Sequence, residues 1–108
     1  MPGNANKINM IAGLFKAFAH ESIAVTDTAQ SFTAATYTTD GEKAKRAVIT
    51  IETAQIRYTY DGTTPTSSVG HLCNPFDVIT LIGSDNITNF RAIRAGSTNA
   101  TIKVTYEN

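Results

Sequence analysis

Side chains capable of chemistry are few in this sequence and mostly lie far apart. The two histidines are His20 and His71, and the single cysteine, Cys73, follows the second of them closely. His71, Cys73 and Asp77 form one short grouping of a base, a nucleophile and a carboxylate. Neighbours this close in a loop point in different directions, and a catalytic base usually comes from elsewhere in the fold. We therefore expect Cys73 to be a small buried side chain rather than a nucleophile or a metal ligand.

The carboxylates lack the spacing of a catalytic pair or of a calcium loop. Glu52 falls within a predicted strand, Asp61 within a turn, and Asp77 and Asp85 near the ends of loops. A calcium loop needs oxygen ligands at close and regular intervals, and nucleotide sites usually carry glycine-rich motifs that this sequence lacks. We therefore predict a protein that is not an enzyme, with no catalytic residues, no metal site and no cofactor.

The charge balance argues against nucleic acid as a partner. The chain of 108 residues carries nine basic and nine acidic side chains, so its formal net charge is zero. Nucleic-acid binders usually have a basic surplus, because neutralising phosphates supplies most of their affinity. No run approaches the roughly 20 apolar residues of a membrane span, so we expect no membrane contact either. A net charge near zero protects weakly against self-association, which suits a protein that lives in an assembly.

Residues 8–20 have a pattern of their own. Large apolar side chains recur there at helical spacing, after a small and polar start over residues 1–7. The pattern predicts a short helix, or an extended arm that orders against a partner. The side chains that would bind this partner are Ile8, Met10, Ile11, Leu14, Phe15 and Phe18. The alternative is that they cover one open end of the domain, where fully burying each would stabilise the fold by about 1.5–3 kcal/mol.

From residue 21 onward the sequence is typical of an all-β domain. Threonine, valine, isoleucine and aromatic residues dominate, and apolar and polar side chains alternate over short runs. Strands are predicted at residues 22–26, 30–38, 47–53, 55–60, 78–82, 87–94 and 101–106. Turn signals such as Asp40-Gly41 and the loop around Pro65 separate them. We predict an arm or helix over residues 1–20 and a β-sandwich domain, jelly-roll or Ig-like, over residues 21–108.

Tyr58 and Tyr60 are an aromatic pair whose spacing could serve a ligand. Rings of this kind stack on nucleic-acid bases or on sugars. However, both share a predicted strand face with Ile56. We therefore interpret the two tyrosines as core residues rather than as a binding platform.

The second half of the chain resembles a family of small virion proteins. The segments that carry the resemblance are residues 56–66, 70–72, 78–83, 87–96 and 100–106. Their order is a strand, an Asp-Gly-Thr-x-Pro-Thr loop, and later a closing Val-x-Tyr strand. This order resembles that of structural proteins of tailed bacteriophages, of the type that decorate or cement the capsid. The resemblance covers roughly residues 45 to 107.

The resemblance implies a function in the virion. A decoration or cement protein bridges neighbouring subunits of the major capsid protein and so stabilises the head. The chain would then be made in the cytoplasm of the bacterial host, lie on the capsid surface and act as a homo-oligomer. A component of the tail or neck is a near variant of this expectation.

A second resemblance concerns only the loop that follows Tyr58. Residues 58–66 read Tyr-Thr-x-Asp-Gly-Thr-x-Pro-Thr and look like a turn in Ig-like accessory domains of bacterial carbohydrate-active enzymes. In those domains the loop is structural. The alternative that it implies is an Ig-like module for carbohydrate binding or adhesion.

Overall fold

The computed structural model describes residues 15–108, which form an all-β domain of antiparallel strands. The strands are β1 (Ala17–Val25), β2 (Gln30–Ser31), β3 (Thr38–Thr39), β4 (Glu42–Lys43), β5 (Arg46–Glu52), β6 (Ile56–Thr59), β7 (His71–Cys73), β8 (Val78–Ile82), β9 (Arg91–Arg94) and β10 (Ala100–Glu107). The same residues also form two short helices, α1 (Ala34–Tyr37) and α2 (Ser84–Asn89). The predicted all-β class is confirmed.

The longer strands form two antiparallel sheets of four strands each. One sheet has the order β1–β10–β5–β8 and the other the order β2–β9–β6–β7, while β3 and β4 form a separate hairpin. Inward-facing side chains of both large sheets belong to one hydrophobic cluster, so the sheets pack around a common core. The finer assignment to a jelly-roll or an Ig-like sandwich stays a prediction.

β7 and β8 are consecutive in the chain and are the terminal strands of different sheets. Only residues 74–77 connect them, and a connection this short keeps its two ends close together. The two terminal strands therefore lie on the same side of the molecule. In the described part of the chain, this arrangement places the free edge of β8 beside that of β7.

Two local signals in the sequence are confirmed. The inward-facing residues of β10, Ile102, Val104 and Tyr106, are at most 1% exposed, as their period-two spacing predicts. Asp40 and Gly41 form the turn between β3 and β4 with positive φ angles of 52° and 78°. This is the geometry that a two-residue hairpin loop favours, because its twist matches that of the strands.

The predicted helix over residues 8–20 is wrong in its last part, which belongs to β1. This strand pairs with β10 along most of its length and carries one extra residue, Phe18, where the register shifts between Ala17 and Ala19. A partner strand thus outweighs the local helical spacing. The strand also crosses the boundary predicted at residue 20. Residues 8–14 of the predicted arm lie outside the described residues.

Helical turns replace parts of two other predicted strands. α1 lies within the strand predicted at residues 30–38, and α2 overlaps the start of the one predicted at residues 87–94. In α2 the side chains of Asn86 and Thr88 donate hydrogen bonds to backbone carbonyls four residues earlier. Ile87 is fully buried on the same turn. Polar side chains that bond locally to the backbone, together with burial of one isoleucine, favour the turn over an extended strand.

Candidate functional site

The exposed apolar side chains of the described residues belong mostly to two terminal strands that follow each other in the chain and to the turn between them. Of the six large hydrophobic side chains exposed in the described part, four belong to β7, β8 or the connection between them. We call these four residues the apolar edge: Leu72, Phe76, Val78 and Ile82. Phe76 is 90% exposed, and Val78 and Ile82 are 61% and 62% exposed. Val78 and Ile82 share the outward face of β8, and apolar exposure along one strand face is typical of a contact surface.

The backbone of β8 is also available along this edge. β8 pairs with β5 on one side, and the bonds Ile51 N–H to Asp77 O and Gly83 N–H to Lys45 O fix the phase of that ladder. In this phase the N–H and C=O groups of Val78 and Thr80 point away from β5. Residues 78–82 contain no charge, proline or glycine, the features that usually protect an edge strand. Within residues 15–108, this edge is therefore open to a strand from another chain.

A second surface begins inside the core as a stack of aromatic rings. Phe32 and Phe90 stack with their centroids 4.2 Å apart, and Phe90 lies 5.7 Å from Tyr58. Tyr58 contacts Tyr60 at 6.3 Å and His71 at 5.3 Å. Tyr60 and His71 complete the stack at the surface, 6.0 Å apart with a 25° angle between their planes. The core therefore fixes the position of two exposed rings.

Tyr60 and His71 line an open cleft of about 600 Å³. The remaining residues that line it are Thr59, Asp61, Thr63, Val69 and Gly70. This volume falls in the range of small-ligand sites, roughly 300–1,000 Å³. We call this feature the aromatic cleft. Tyr60 is 42% exposed there, so the interpretation of Tyr60 as a core residue is wrong, whereas Tyr58 does pack against the core.

The loop over residues 60–70 that forms one wall of the cleft is held by specific hydrogen bonds. Arg57 donates from Nε to the carbonyl of Ser67 at 2.8 Å and from Nη1 to the carbonyl of Gly70 at 3.0 Å. The hydroxyl of Thr59 donates to the carbonyl of Thr63. Two N–H donors of one guanidinium that bond different carbonyls hold the loop at two points. The loop therefore has a defined shape.

Two further residues fix the loop by packing. Pro65 is among the side chains that are less than 2% exposed, so the middle of the loop is anchored in the protein. Gly70 has a φ of +120°, and a Cβ at this position would lie 2.9 Å from the backbone oxygen of Tyr58. Only glycine permits this close approach of the loop end to β6.

The polar groups of the cleft include one carboxylate and hydroxyl side chains. The backbone N–H of Thr63 donates to Asp61 Oδ1 at 3.0 Å, and this bond lowers the pKa of Asp61. Asp61 is therefore ionised at neutral pH. Burial, followed by the neighbouring Cys73 and Tyr60, raises the pKa of Tyr58, so its phenol stays protonated. Among the residues that line the cleft, none is a lysine or an arginine.

The grouping of His71, Cys73 and Asp77 has a structural role in the fold. The carboxylate of Asp77 accepts a hydrogen bond from the backbone N–H of Asn74 at 2.8 Å and lies 3.7 Å from Cys73 Sγ. Cys73 is buried, and burial followed by the charge of Asp77 raises the pKa of its thiol. A raised pKa disfavours the reactive thiolate. His71 contacts Tyr58 and Tyr60 instead.

The side chains predicted to bind a partner divide into two groups. Those outside the described residues are Ile8, Met10, Ile11 and Leu14. Phe18 lies in β1 and packs, half-buried, against the core. The guanidinium of Arg46 lies over the ring of Phe15, 4.4 Å from its centroid, and also forms an ion pair with Glu107. Phe15 and Phe18 are therefore both engaged within the chain.

The described residues show neither a metal-ligand cluster nor a membrane-spanning helix. In residues 15–108, no three histidine, cysteine or acidic side chains come together as a metal site would need. Neither helix of this part has the length and apolar character that crossing a bilayer demands.

Sequence reasoning missed both surfaces for identifiable reasons. An apolar run such as residues 78–82 predicts a strand but does not reveal whether one face is left uncovered. Phe76 carried a usable signal, because a large aromatic side chain in the turn Asn-Pro-Phe-Asp has no strand or helix to bury it. The contact of His71 with Tyr60 had no signal in the sequence, since these rings meet only through the pairing of β6 with β7.

Comparison with known proteins leaves the family of this chain open: no protein-family model, no curated protein and no solved structure matches it at a significant level.

Proposed function

We propose that this chain is a structural protein of a tailed-bacteriophage virion, of the type that decorates or cements the capsid. In this role it binds the major capsid protein on the outer surface of the head and bridges neighbouring subunits. It is made in the cytoplasm of the bacterial host, and its copies associate on the capsid as a homo-oligomer. It acts by covering and joining surfaces, without a chemical step.

The observation that carries the proposal is the apolar edge. Leu72, Phe76, Val78 and Ile82 expose apolar area along the terminal strands β7 and β8 and the turn between them, and the edge of β8 offers backbone groups for pairing. Fully burying such side chains stabilises a contact by about 1.5–3 kcal/mol each. The occupant that we propose is an extended segment of the major capsid protein that adds to β8, because backbone pairing gives affinity and the apolar side chains give specificity.

The N-terminal residues supply a second contact in this proposal. The backbone of Lys16, next to Phe15, pairs with that of Asn108 just beyond β10, so the described part of the chain starts at the β1 edge of its sheet. The N-terminal residues therefore join the domain at the sheet edge opposite to β8. Ile8, Met10, Ile11 and Leu14 are the side chains that would extend the contact to a neighbouring subunit.

The test is co-sedimentation of the full chain with expanded empty capsids of the phage that encodes it. We expect the wild-type protein to pellet with the capsids up to a saturating ratio. A double substitution, Val78→Lys with Ile82→Lys, places charges on the edge and should leave the protein in the supernatant. The matched control is Ala24→Lys, at an exposed position of β1, the opposite edge of the same sheet, and this variant should still pellet.

The outcomes separate capsid binding from other uses of the edge. Wild-type protein that stays in the supernatant would contradict the proposal. A double variant that still pellets but changes from oligomer to monomer in sedimentation velocity would assign the edge to contacts between copies of this chain. The variants Ile8→Ser and Ile11→Ser test the N-terminal contact, because a deletion through residue 20 would remove part of β1.

A further inference from the structure

We propose that the aromatic cleft binds a neutral saccharide. The proposal goes beyond capsid binding, because the cleft and the apolar edge have no residue in common. Along β7, His71 lies in the cleft and the next residue, Leu72, lies on the edge. Since successive side chains of a strand point to opposite faces, the two surfaces are separate.

The exposed rings supply the apolar part of the recognition. Tyr60 and His71 present nearly parallel rings at the surface, and Val69, 45% exposed, adds an apolar wall. The face of an aromatic ring carries partial negative charge, which attracts the polarised C–H groups on one face of a pyranose ring. A ligand with a flat C–H face and a polar rim therefore fits these rings.

The polar groups of the cleft select hydroxyls over phosphates. The Asp61 carboxylate has oxygen lone pairs beyond the one that Thr63 uses, and these can accept hydrogen bonds from sugar hydroxyls. The same negative charge, with no lysine or arginine lining the cleft, opposes a nucleotide or another phosphate ligand. Stacking together with an ionised acceptor thus points to an uncharged polyhydroxylated ligand.

The rigidity of the cleft reduces the entropy lost on binding. Arg57 holds the loop at two carbonyls, Pro65 anchors its middle, and Gly70 brings its end against the backbone of Tyr58. From inside, Tyr58 and Phe90 support the exposed rings. A site that exists before its ligand arrives does not need to order side chains at the moment of binding.

The first experiment identifies the ligand class with the full wild-type chain. An array of neutral oligosaccharides, followed by NMR titration with the strongest binder, should shift the backbone amide signals of Gly70, His71 and Asp61. Choline and a mononucleotide are titrated in parallel. The proposal is overturned if no neutral saccharide binds, or if only choline or the nucleotide shifts these signals.

Variants then locate the site. Tyr60→Ala should weaken saccharide binding about tenfold or more, the order expected when a stacking platform is lost. Tyr60→Phe keeps the ring and should bind within a few-fold of wild type. Asp61→Asn should weaken binding by removing the ionised acceptor, and an unchanged affinity for both Tyr60→Ala and Asp61→Asn would place the ligand elsewhere.

Phe76→Ala is the matched control, because it removes an exposed aromatic ring from the apolar edge rather than from the cleft. Its saccharide affinity should equal that of wild type. Tyr60→Ala should in turn still pellet with capsids. If the wild-type protein binds saccharide but not capsids, the saccharide site is supported and the proposed function is contradicted. If it binds capsids but no saccharide, the proposed function is supported and the saccharide site is contradicted.

Discussion

The phenol of Tyr106 donates a hydrogen bond to the carboxylate of Glu21, a residue 85 positions earlier in the chain. Tyr106 is fully buried, and its ring meets those of Phe32 and Tyr37 edge-on. Glu21 lies in β1 and also accepts hydrogen bonds from the backbone N–H and the hydroxyl of Thr33. The first long strand, the last strand and the segment before α1 are thus joined at one carboxylate.

Replacement of Tyr106 by phenylalanine should lower the free energy of unfolding. The substitution keeps the ring but removes one donor from a partly buried carboxylate, a change that costs about 1–3 kcal/mol. Urea denaturation followed by circular dichroism measures the loss. Tyr37→Phe, which removes the hydroxyl of a neighbouring buried tyrosine, is the control and should cost less. If both variants lose the same free energy of unfolding, the hydrogen bond from Tyr106 to Glu21 adds no measurable stability.

Alkaline pH should destabilise the domain through the same tyrosine. Burial first, and the hydrogen bond to Glu21 second, raise the pKa of Tyr106 in the folded state, whereas the unfolded chain keeps the ordinary value of about 10. Below that pH both states carry the neutral phenol and the stability is complete. Above it the unfolded state loses its proton more readily, so the free energy of unfolding falls as pH rises toward the folded pKa.

Urea titrations across this pH range measure the fall, and tyrosinate absorbance reports which phenols ionise in the folded protein. Tyr58, whose pKa is also raised, contributes with the same sign. In Tyr106→Phe the fall should be shallower. A wild-type stability that stays flat above pH 10 would show that neither phenol is held protonated by the fold.

Phe18→Ala should destabilise the domain, because Phe18 packs against the core rather than remaining free for a partner. For a half-buried ring the expected loss is about 1–3 kcal/mol. The matched control is Phe76→Ala, since the ring of Phe76 is 90% exposed and its loss should change stability by less than about 0.5 kcal/mol. If Phe18→Ala keeps wild-type stability but loses capsid binding, Phe18 belongs to the docking arm as the sequence predicted.

Gly70→Ala should both destabilise the domain and distort the aromatic cleft. Its φ of +120° is rarely adopted by residues with a side chain, and the added Cβ would meet the Tyr58 backbone oxygen at 2.9 Å. Strain of this kind costs about 1–3 kcal/mol. Gly96→Ala is the control, because its Cβ would meet nothing within 4 Å. Thermal unfolding compares the two, and equal midpoints would contradict the close approach of Gly70 to β6.

The sequence predicted the strands correctly wherever the local apolar–polar pattern and the pairing with a neighbouring strand both favoured an extended chain. The strands that became β5 and β10 alternate without interruption, and Asp40-Gly41 supplies its own turn geometry. The prediction failed where tertiary pairing opposed the local pattern. Residues 17–20 continue a helical spacing, yet their hydrogen bonds to β10 hold them extended. At the start of the strand predicted over residues 87–94, the side chains of Asn86 and Thr88 bond to backbone carbonyls and stabilise α2 instead.

The candidate sites were less predictable than the strands, because each depends on what lies beside a residue in space. Tyr60 alternates in register with Ile56 and Tyr58, so the sequence placed all three in the core. The structure ends β6 at Thr59 and leaves Tyr60 at the surface against His71. The alternation along the sequence is the same for a tyrosine within a strand and for one that follows the last paired residue of that strand.

By itself the sequence determined the all-β class, the alternation that selects inward-facing residues and the turn at Asp40-Gly41. Only the tertiary structure decided which apolar strands are covered. Among residues 15–108, β10 lies between β1 and β5, while β8 pairs with β5 alone and exposes Val78 and Ile82 on its outward face. The reason is physical: the backbone and side-chain periods are the same in a central and a terminal strand. The order of strands therefore decides which backbone groups stay unpaired, and the packing of each sheet face decides which side chains stay exposed.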